Sequence, residues 1–385
     1  MDTTQLLLAY LAAWLLITTL LSRKYGEEEE GRIVASPLVL MLRLPIRFEK
    51  FERLRGSRVI ALILDAGIAA LAVLMAGFYV TMVRGILARL LTGTAQPLVM
   101  PILPGVTISL ETFLYLLPGL AVAILFHESA HALAARYEGI PIKSSGIMVL
   151  LGLLPAAFVE PDEGQLNSAP RRARLRVYSA GVLANLIVFA ILAGTLTALS
   201  SNGSIIMITG VQPGTFAAKA GIHGYLALKE IIVNGTTFNN LDSFLKYMYK
   251  LRTENGGTLA NKTLIVELVT INDKVYKVVK PAAPPGTVNA TRYEHIGIYL
   301  AEIPRSFISA GLSPSTALKL YLVLLYAELV NIGLAGINAA PLFITDGAQY
   351  VRALLEPRLG RENAARAERV ISTLTLLLVL PNLAI

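Results

Sequence analysis

Residues 113–135 read FLYLLPGLAVAILFHESAHALAA, an apolar stretch long enough to cross a bilayer as a helix. The motif HESAH occupies residues 127–131 of this stretch, although ionisable side chains at membrane depth are costly and therefore indicate a functional site. Residues i and i+4 share one face of a helix, so His127 and His131 would lie side by side. Such a pair can bind a zinc ion, with Glu128 next to it as a general base.

The composition of the whole chain favours a membrane protein. Of its 385 residues 55% are hydrophobic and only 16% are charged, and a soluble domain of this size would expose too much apolar surface. The apolar surroundings also argue against a surface helix that carries HExxH by chance. The chain has no cysteine, which excludes a disulfide framework, a thiolate zinc site and a cysteine nucleophile. Any metal must therefore be held by histidine and carboxylate.

Six apolar segments predict a polytopic α-helical membrane protein with about six transmembrane helices. These segments lie at residues 5–22, 59–82, 113–135, 178–200, 317–340 and 370–385. A shorter apolar stretch at residues 146–159 carries Pro155 and is too short for a simple span. We therefore expect a short re-entrant or β-like element there, packed against the protein.

Basic residues predict the orientation in the membrane. The connections at residues 23–58, 136–177 and 341–369 hold nine, six and five Lys and Arg residues, whereas the connection at residues 83–112 holds two. Basic connections face the cytoplasm, which places the N-terminus on the extracytoplasmic side. The net charge of +8 is thus mostly a topology signal, and no nucleic-acid partner is predicted.

Residues 201–312 differ from the rest of the chain because they are polar and rich in turns, with short β-branched runs. They predict a small α+β domain inserted between membrane spans, outside the cytoplasm. The expected organisation is a membrane part with the HExxH helix at residues 1–200, the inserted domain, and a C-terminal membrane part at residues 313–385.

A catalytic zinc site needs a third protein ligand and an open position for water. The remaining histidines, His223 and His295, lie in the inserted segment and cannot easily reach a buried helix. Carboxylates within the apolar spans or at their ends are Asp65, Glu328 and Asp346. Depth in the membrane favours Asp346, places Glu328 nearer the opposite half, and does not exclude Asp65.

Three motifs resemble the site-2 protease family of intramembrane zinc metalloproteases. They are HESAH in a span, the stretch at residues 146–162 with AGVLAN at residues 180–185, and Asn338-x-x-Pro341 followed by Asp346-Gly347. The family usually has Leu-Asp-Gly-Gly where this chain has TDGA at residues 345–348, which keeps the Asp and its Gly. The resemblance implies that Zn²⁺ is the cofactor, that Asp346 is the third ligand and that Glu128 is the catalytic base.

The inserted domain resembles the PDZ domains of the same family. VQPGTFAAKAGI at residues 211–222 is similar to their start, and IIVNG at residues 231–235 to a later strand. PDZ domains bind peptides by strand addition and can capture a C-terminal carboxylate, so Gly297 is a candidate peptide-binding residue. A domain that only restricts access sterically remains the alternative. The resemblance also makes Asn185 and Asn338 candidates for binding substrate near the metal.

The sequence therefore predicts an intramembrane zinc metalloprotease embedded in membrane lipid, with its active site toward the cytoplasm. We expect it to cleave single-span membrane proteins within or near their transmembrane segment, as in regulated intramembrane proteolysis. The alternatives are a transporter that uses buried carboxylates such as Asp65 and Glu328, and a PDZ scaffold without catalysis. The transporter leaves the histidine pair unexplained and lacks an internal repeat. The intact metal-binding motif argues against the scaffold.

Overall fold

The computed structural model describes residues 3–25, 32–36, 39–46, 48–93, 97–150, 152, 154–285, 287 and 290–383. The chain divides into two compact units, the first made of Met1–Leu192 with Tyr326–Ile385 and the second of Ala193–Leu325. The second unit includes the segment predicted as an inserted domain. The three-part organisation of residues 1–200, 201–312 and 313–385 itself stays a prediction.

Helices and strands alternate along the chain. The α-helices are α1 (Thr3–Tyr25), α2 (Arg58–Thr92), α3 (Leu110–Tyr137), α4 (Glu163–Ser168), α5 (Arg171–Ser200), α6 (Phe216–Lys219), α7 (Leu241–Glu254), α8 (Arg305–Ser309), α9 (Pro314–Ala339), α10 (Asp346–Leu359) and α11 (Arg361–Val379). The β-strands are β1 (Ile33–Ala35), β2 (Val39–Arg43), β3 (Ile142–Leu150), β4 (Leu154–Pro161), β5 (Ser204–Val211), β6 (Leu226–Val233), β7 (Thr236–Phe238), β8 (Leu264–Thr270), β9 (Val275–Lys280) and β10 (Ile298–Pro304).

Four helices among the described residues are long and apolar enough to cross a membrane, namely α2, α3, α5 and α9. In the most apolar 18-residue segment of each helix, only 17% to 28% of the residues are buried. Large apolar side chains such as Leu62, Leu90 and Leu125 are therefore exposed, which is costly in water and suits lipid. These four helices confirm the expectation of an integral, multi-pass membrane protein.

The first and last predicted spans are not among these four helices. Residues 5–22 lie in α1, where the described apolar stretch is Ala12–Arg23. Residues 370–385 include the end of α11, which stops at Val379 and continues as a 3₁₀ turn. The count of six spans therefore stays a prediction.

The apolar stretch predicted as a re-entrant or β-like element has β-structure at residues 146–150 and 154–159, which agrees with the β-like alternative. β3 and β4 form an antiparallel hairpin in which Met148 lies opposite Ala156. This hairpin extends to a four-stranded sheet in the order β1-β2-β3-β4, so β4 lies at the edge. Pro155 lies in this edge strand, where a missing N–H is tolerated.

The second unit is built around a sheet in the order β10-β5-β6-β8-β9, with β7 paired to β6. Ile206, Leu228 and Leu268 form part of its buried core, and Phe244 of α7 packs against that core. The Lys280 side chain is fully buried, and its Nζ donates hydrogen bonds to backbone carbonyl oxygens. Burial lowers the pKa of this ammonium group, and the carbonyl oxygens replace the water that it loses.

Helix α5 packs against several other elements of the first unit. Its Val182 is fully buried in a cluster with Leu71 of α2 and Ala335 of α9. Its Val177 is buried with Ala134 of α3. Helix α5 therefore packs against α2, α3 and α9.

Helix α5 contains the predicted span at residues 178–200 and begins before it, at Arg171, where acidic residues neutralise arginines of its first turns. Arg176 donates from Nε and Nη2 to the two carboxylate oxygens of Asp65, at 2.8 Å each. Arg172 Nε donates to the same carboxylate at 3.0 Å. Asp65 therefore ties α2 to α5 and does not join the predicted metal site.

Helices α3 and α9 cross at a small residue. A Cβ atom at Gly119 would lie 2.4 Å from the Ala327 Cα atom, closer than any real contact. We expect Gly119→Ala to push the helices apart and to destabilise the protein by about 1–3 kcal/mol. The measurement is thermal unfolding in detergent, with Gly333→Ala on α9 as the control because its Cβ would meet no atom within 4 Å. Equal unfolding temperatures for both variants would contradict this packing.

Candidate metal centre

Two imidazoles and one carboxylate from distant parts of the chain converge in the first unit. His127 Nε2 and His131 Nε2 lie 3.2 Å and 3.3 Å from Asp346 Oδ2, and 3.1 Å from each other. Within the described part of the chain, this is a group of histidine and acidic side chains able to hold a metal ion. The structure thus brings together the three residues predicted as ligands.

Hydrogen bonding leaves lone pairs facing the centre of this group. His131 Nδ1 lies 2.8 Å from the carbonyl oxygen of Val177, which can only accept, so a neutral ring carries its proton on Nδ1. Asp346 Oδ2 is buried, and no described residue gives it a well-aligned hydrogen bond despite the nearby nitrogens. Lone pairs this close repel one another unless a cation lies among them. Imidazole nitrogen and carboxylate oxygen are ligands that Zn²⁺ takes, so the donor set fits.

Two elements present the ligands. Helix α3 carries His127 and His131 one turn apart, and α10 begins at Asp346. The turn before α10 is held by Thr345, whose hydroxyl donates to the carbonyl oxygen of Ala340 at 2.6 Å. Gly347 is required beside it, because a Cβ atom there would lie 2.3 Å from the carbonyl oxygen of Ala339. Thr345 therefore supplies a turn contact that the usual leucine of the family could not.

Helix α5 approaches the two imidazoles through a glycine. A Cβ atom at Gly181 would lie 2.5 Å from His127 Cε1 and 2.5 Å from His131 Nε2. Gly181 therefore leaves the space that the two imidazoles occupy, a role that its place in the AGVLAN motif did not indicate. The available signal was only a small residue in an apolar span, which more often serves helix packing.

Glu128 contacts the edge of the four-stranded sheet. One carboxylate oxygen, Oε2, accepts a hydrogen bond from the backbone N–H of Val159 at 2.9 Å. Val159 lies in the edge strand β4, and this N–H is not used for pairing with β3. The predicted base therefore lies beside the histidines in sequence and has its carboxylate oriented by the strand.

Asn185 is fully buried against His127. Its amide nitrogen Nδ2 lies 3.3 Å from His127 Nδ1, and its oxygen Oδ1 has no partner among the residues that the structure describes. With the amide oxygen turned toward Nδ1, Asn185 accepts the Nδ1 proton and leaves the Nε2 lone pair for a metal, as Val177 does at His131. The predicted role of Asn185 in substrate binding stays a prediction.

The other two candidate substrate-binding residues lie elsewhere. Asn338 is half-buried in the last turn of α9, and in the described ranges its side chain makes no hydrogen bond to His127, His131 or Asp346. Gly297 belongs to the second unit, where it has a φ of 86° and lies against Thr215. Their predicted roles also stay predictions.

An ion pair connects α10, which carries Asp346, to α5. Arg174 of α5 donates to Glu356 of α10, and Arg361 Nε donates to the same carboxylate at 2.9 Å. Burial alone would raise the pKa of Glu356, but the two guanidinium groups outweigh it and hold the pKa below its usual value. Glu356 therefore stays ionised and keeps α10 beside α5.

Apolar helices and a converging His-His-Asp group beside a glutamate define a membrane protein with a metallopeptidase-type site. A family model described as peptidase family M50 matches residues 115–381, more than half of the chain. The chain belongs to this family, which is the site-2 protease family. Its members are membrane metalloproteases that use zinc.

Two relatives are similar to parts of the chain. An uncharacterized protein of Methanocaldococcus jannaschii is 31% identical over 202 residues, which cover 48% of this chain and 50% of that protein. A membrane-bound transcription factor site-2 protease homolog of Arabidopsis thaliana is 28% identical over 164 residues, covering 40% and 31% respectively. The matched part of the chain thus spans half or less of each relative.

The close approach of α5 predicts that Gly181→Ala weakens metal binding. The new methyl group would occupy the space beside both imidazoles and displace them from Asp346. We expect at least a tenfold loss of Zn²⁺ affinity, measured by competition with a chromogenic chelator. Gly194→Ala on the same helix is the control, since its Cβ would meet no atom within 4 Å. Unchanged affinity in the Gly181 variant would contradict the packing.

The contact between Asn185 and His127 predicts a second loss of affinity. Asn185→Leu has a similar volume but no acceptor for the Nδ1 proton, and we expect Zn²⁺ affinity to fall about 10- to 100-fold. Asn185→Asp keeps an acceptor and should retain the affinity. The chelator assay distinguishes the two variants, and equal affinities for both would show that Asn185 does not orient His127.

Proposed function

We propose that this protein is an intramembrane zinc metalloendopeptidase that cleaves single-span membrane proteins within or near their transmembrane segment. The observation that carries the proposal is the convergence of His127, His131 and Asp346 next to Glu128, in a unit whose helices expose apolar side chains. Membership of peptidase family M50 supports it. His127, His131 and Asp346 would hold the metal ion.

Glu128 would act as the general base. Bound Zn²⁺ would lower the pKa of a ligated water toward about 7 and polarise the scissile carbonyl group. Glu128 accepts the proton of the attacking water and then donates it to the leaving amine. The N–H of Val159 orients its carboxylate for both transfers. We also propose that Asn185 and Asn338 hold the substrate backbone near the metal.

The substrate must unwind before it can be cut. A transmembrane helix satisfies its backbone hydrogen bonds internally, so its carbonyl groups are not accessible. Strand β4 is an edge strand of the four-stranded sheet, and an extended substrate segment could pair with such an edge. The contact between Val159 of this strand and Glu128 supports binding of the unwound segment beside the base.

Residues 201–312 would form a PDZ-like domain outside the cytoplasm, in a protein with six spans. The sheet with helix α7 and the strand β10, which starts directly after Gly297 at one end of the sheet order, support this assignment. A peptide C-terminus would add to the edge of β10 near Gly297. The basic connections support an orientation with the metal centre toward the cytoplasm, which regulated intramembrane proteolysis with release of a cytoplasmic fragment would require.

The environment of Asp65 argues against a transporter. Asp65, which would have to carry a proton or an ion, accepts hydrogen bonds from Arg172 and Arg176. Two guanidinium groups hold it ionised and fixed between α2 and α5. We therefore favour the protease over a transporter.

A cleavage assay with tagged single-span proteins tests the proposal. The purified, zinc-loaded full chain should cut at least one substrate, and Glu128→Gln should reduce the rate about 10²- to 10⁴-fold while keeping bound zinc. Asp346→Ala should lose both zinc and activity. Glu111→Gln, an exposed position on the same helix, is the control and should behave as wild type. A wild-type chain without zinc, or equal cleavage by the Glu128 variant, would refute the proposal.

A further inference from the structure

A polar cavity of about 1060 Å³ lies beside β4 in the first unit. Val159 and Glu160 of β4 line one part of it, and Tyr178 of α5 with Gln349 and Arg352 of α10 line another. The volume is at the upper end of the roughly 300–1,000 Å³ of small-molecule pockets. A cavity of this size, lined by charged side chains, can take a short stretch of polar peptide.

Several residues that line the cavity are linked to the candidate metal centre, either by a hydrogen bond or as near neighbours in the chain. Val159 donates its N–H to Glu128 at 2.9 Å. Tyr178 directly follows Val177, whose carbonyl oxygen lies 2.8 Å from His131 Nδ1. Gln349 and Arg352 lie on α10, which begins at Asp346. A peptide held at the metal centre therefore continues into this cavity within a few residues.

The charges that line the cavity are not all neutralised within the protein. Lys143 lies 3.6 Å from Asp162, and Glu160 accepts a hydrogen bond from Ser144. Arg352 is half-buried, and none of the described acidic side chains lies within ion-pair distance of it. A half-buried guanidinium without a partner is a strong recognition group for a carboxylate, which it can bind through two parallel hydrogen bonds.

We propose that this cavity binds the polar segment of the substrate next to the scissile bond and that Arg352 selects an acidic side chain in it. The inference rests on the proposed proteolytic function and adds a rule for substrate choice. The acids Glu160 and Glu163 also line the cavity, on β4 and α4, so an acidic substrate residue is accepted at the α10 wall and repelled near β4 and α4. The preference should therefore be confined to particular positions of the substrate.

A charge exchange between enzyme and substrate tests this rule. Glu or Lys is placed in turn at each position near the mapped cleavage site of one single-span substrate, and kcat/KM is measured for each. Wild type should prefer Glu over Lys about tenfold at one or two positions. Arg352→Glu should reverse the preference there, and Arg352→Gln should abolish it. Arg358→Glu, exposed on the same helix and outside the cavity lining, should keep the wild-type preference.

Four other outcomes would refute the proposed selection by Arg352, and they can be told apart. If wild type cleaves both series equally at every position, the proteolytic function stands and the inference fails. If Arg352→Glu and Arg352→Gln lower kcat/KM equally for all substrates while zinc content is retained, Arg352 has only a structural role. If cleavage ignores substrate charge but depends on anionic lipid through Arg352, the partner is a lipid headgroup. If wild type cleaves no substrate, the proposed function fails together with the inference.

Discussion

Three atoms that could bind a metal ion, His127 Nε2, His131 Nε2 and Asp346 Oδ2, lie within 3.3 Å of one another, and a cation among them would offset the repulsion between their lone pairs. Much of the first unit serves to hold these atoms in place. Val177 fixes the ring of His131, Asn185 contacts the ring of His127, and the turn around Asp346 is tight enough to need a neighbouring glycine. His127 is buried, and His131 and Asp346 are half-buried, which strengthens the electrostatic interactions within the group.

The same unit handles its other charges by pairing them. Asp65 binds Arg172 and Arg176, and Glu356 binds Arg174 and Arg361, so charged side chains join α2, α5, α10 and the start of α11. Buried ion pairs contribute little net stability, but they define one arrangement of the helices. Because α5 also carries the glycine that adjoins the imidazoles, this arrangement sets the geometry of the metal centre. Arg352 differs from these arginines because it lines a cavity and pairs with none of the described acidic side chains.

Local properties of the chain could be predicted from the sequence. The span at residues 113–135 became α3, and its histidines share a face, because hydropathy and helical spacing involve only near neighbours. The start of α5 was missed because Arg171–Arg176 resemble a polar connection when read alone. The charges of Arg172, Arg174 and Arg176 are neutralised by Asp65 and Glu356, which come from distant segments. The pairing of β2 with β3 was missed for the same reason, as no local pattern links residues 39–43 to residues 142–150.

The sequence by itself determined the chemistry of this protein: a membrane setting, a histidine pair with a glutamate, no thiolate ligand, and a resemblance that singled out Asp346. The tertiary structure alone decided where Asp65 goes, because the sequence did not exclude this carboxylate from the metal site and only the packing of α2 against α5 brings it to Arg172 and Arg176. It also decided the role of Gly181, since the need for a missing side chain is visible only when two helices touch. Composition and spacing specify which groups are present, whereas long-range packing specifies which of them meet.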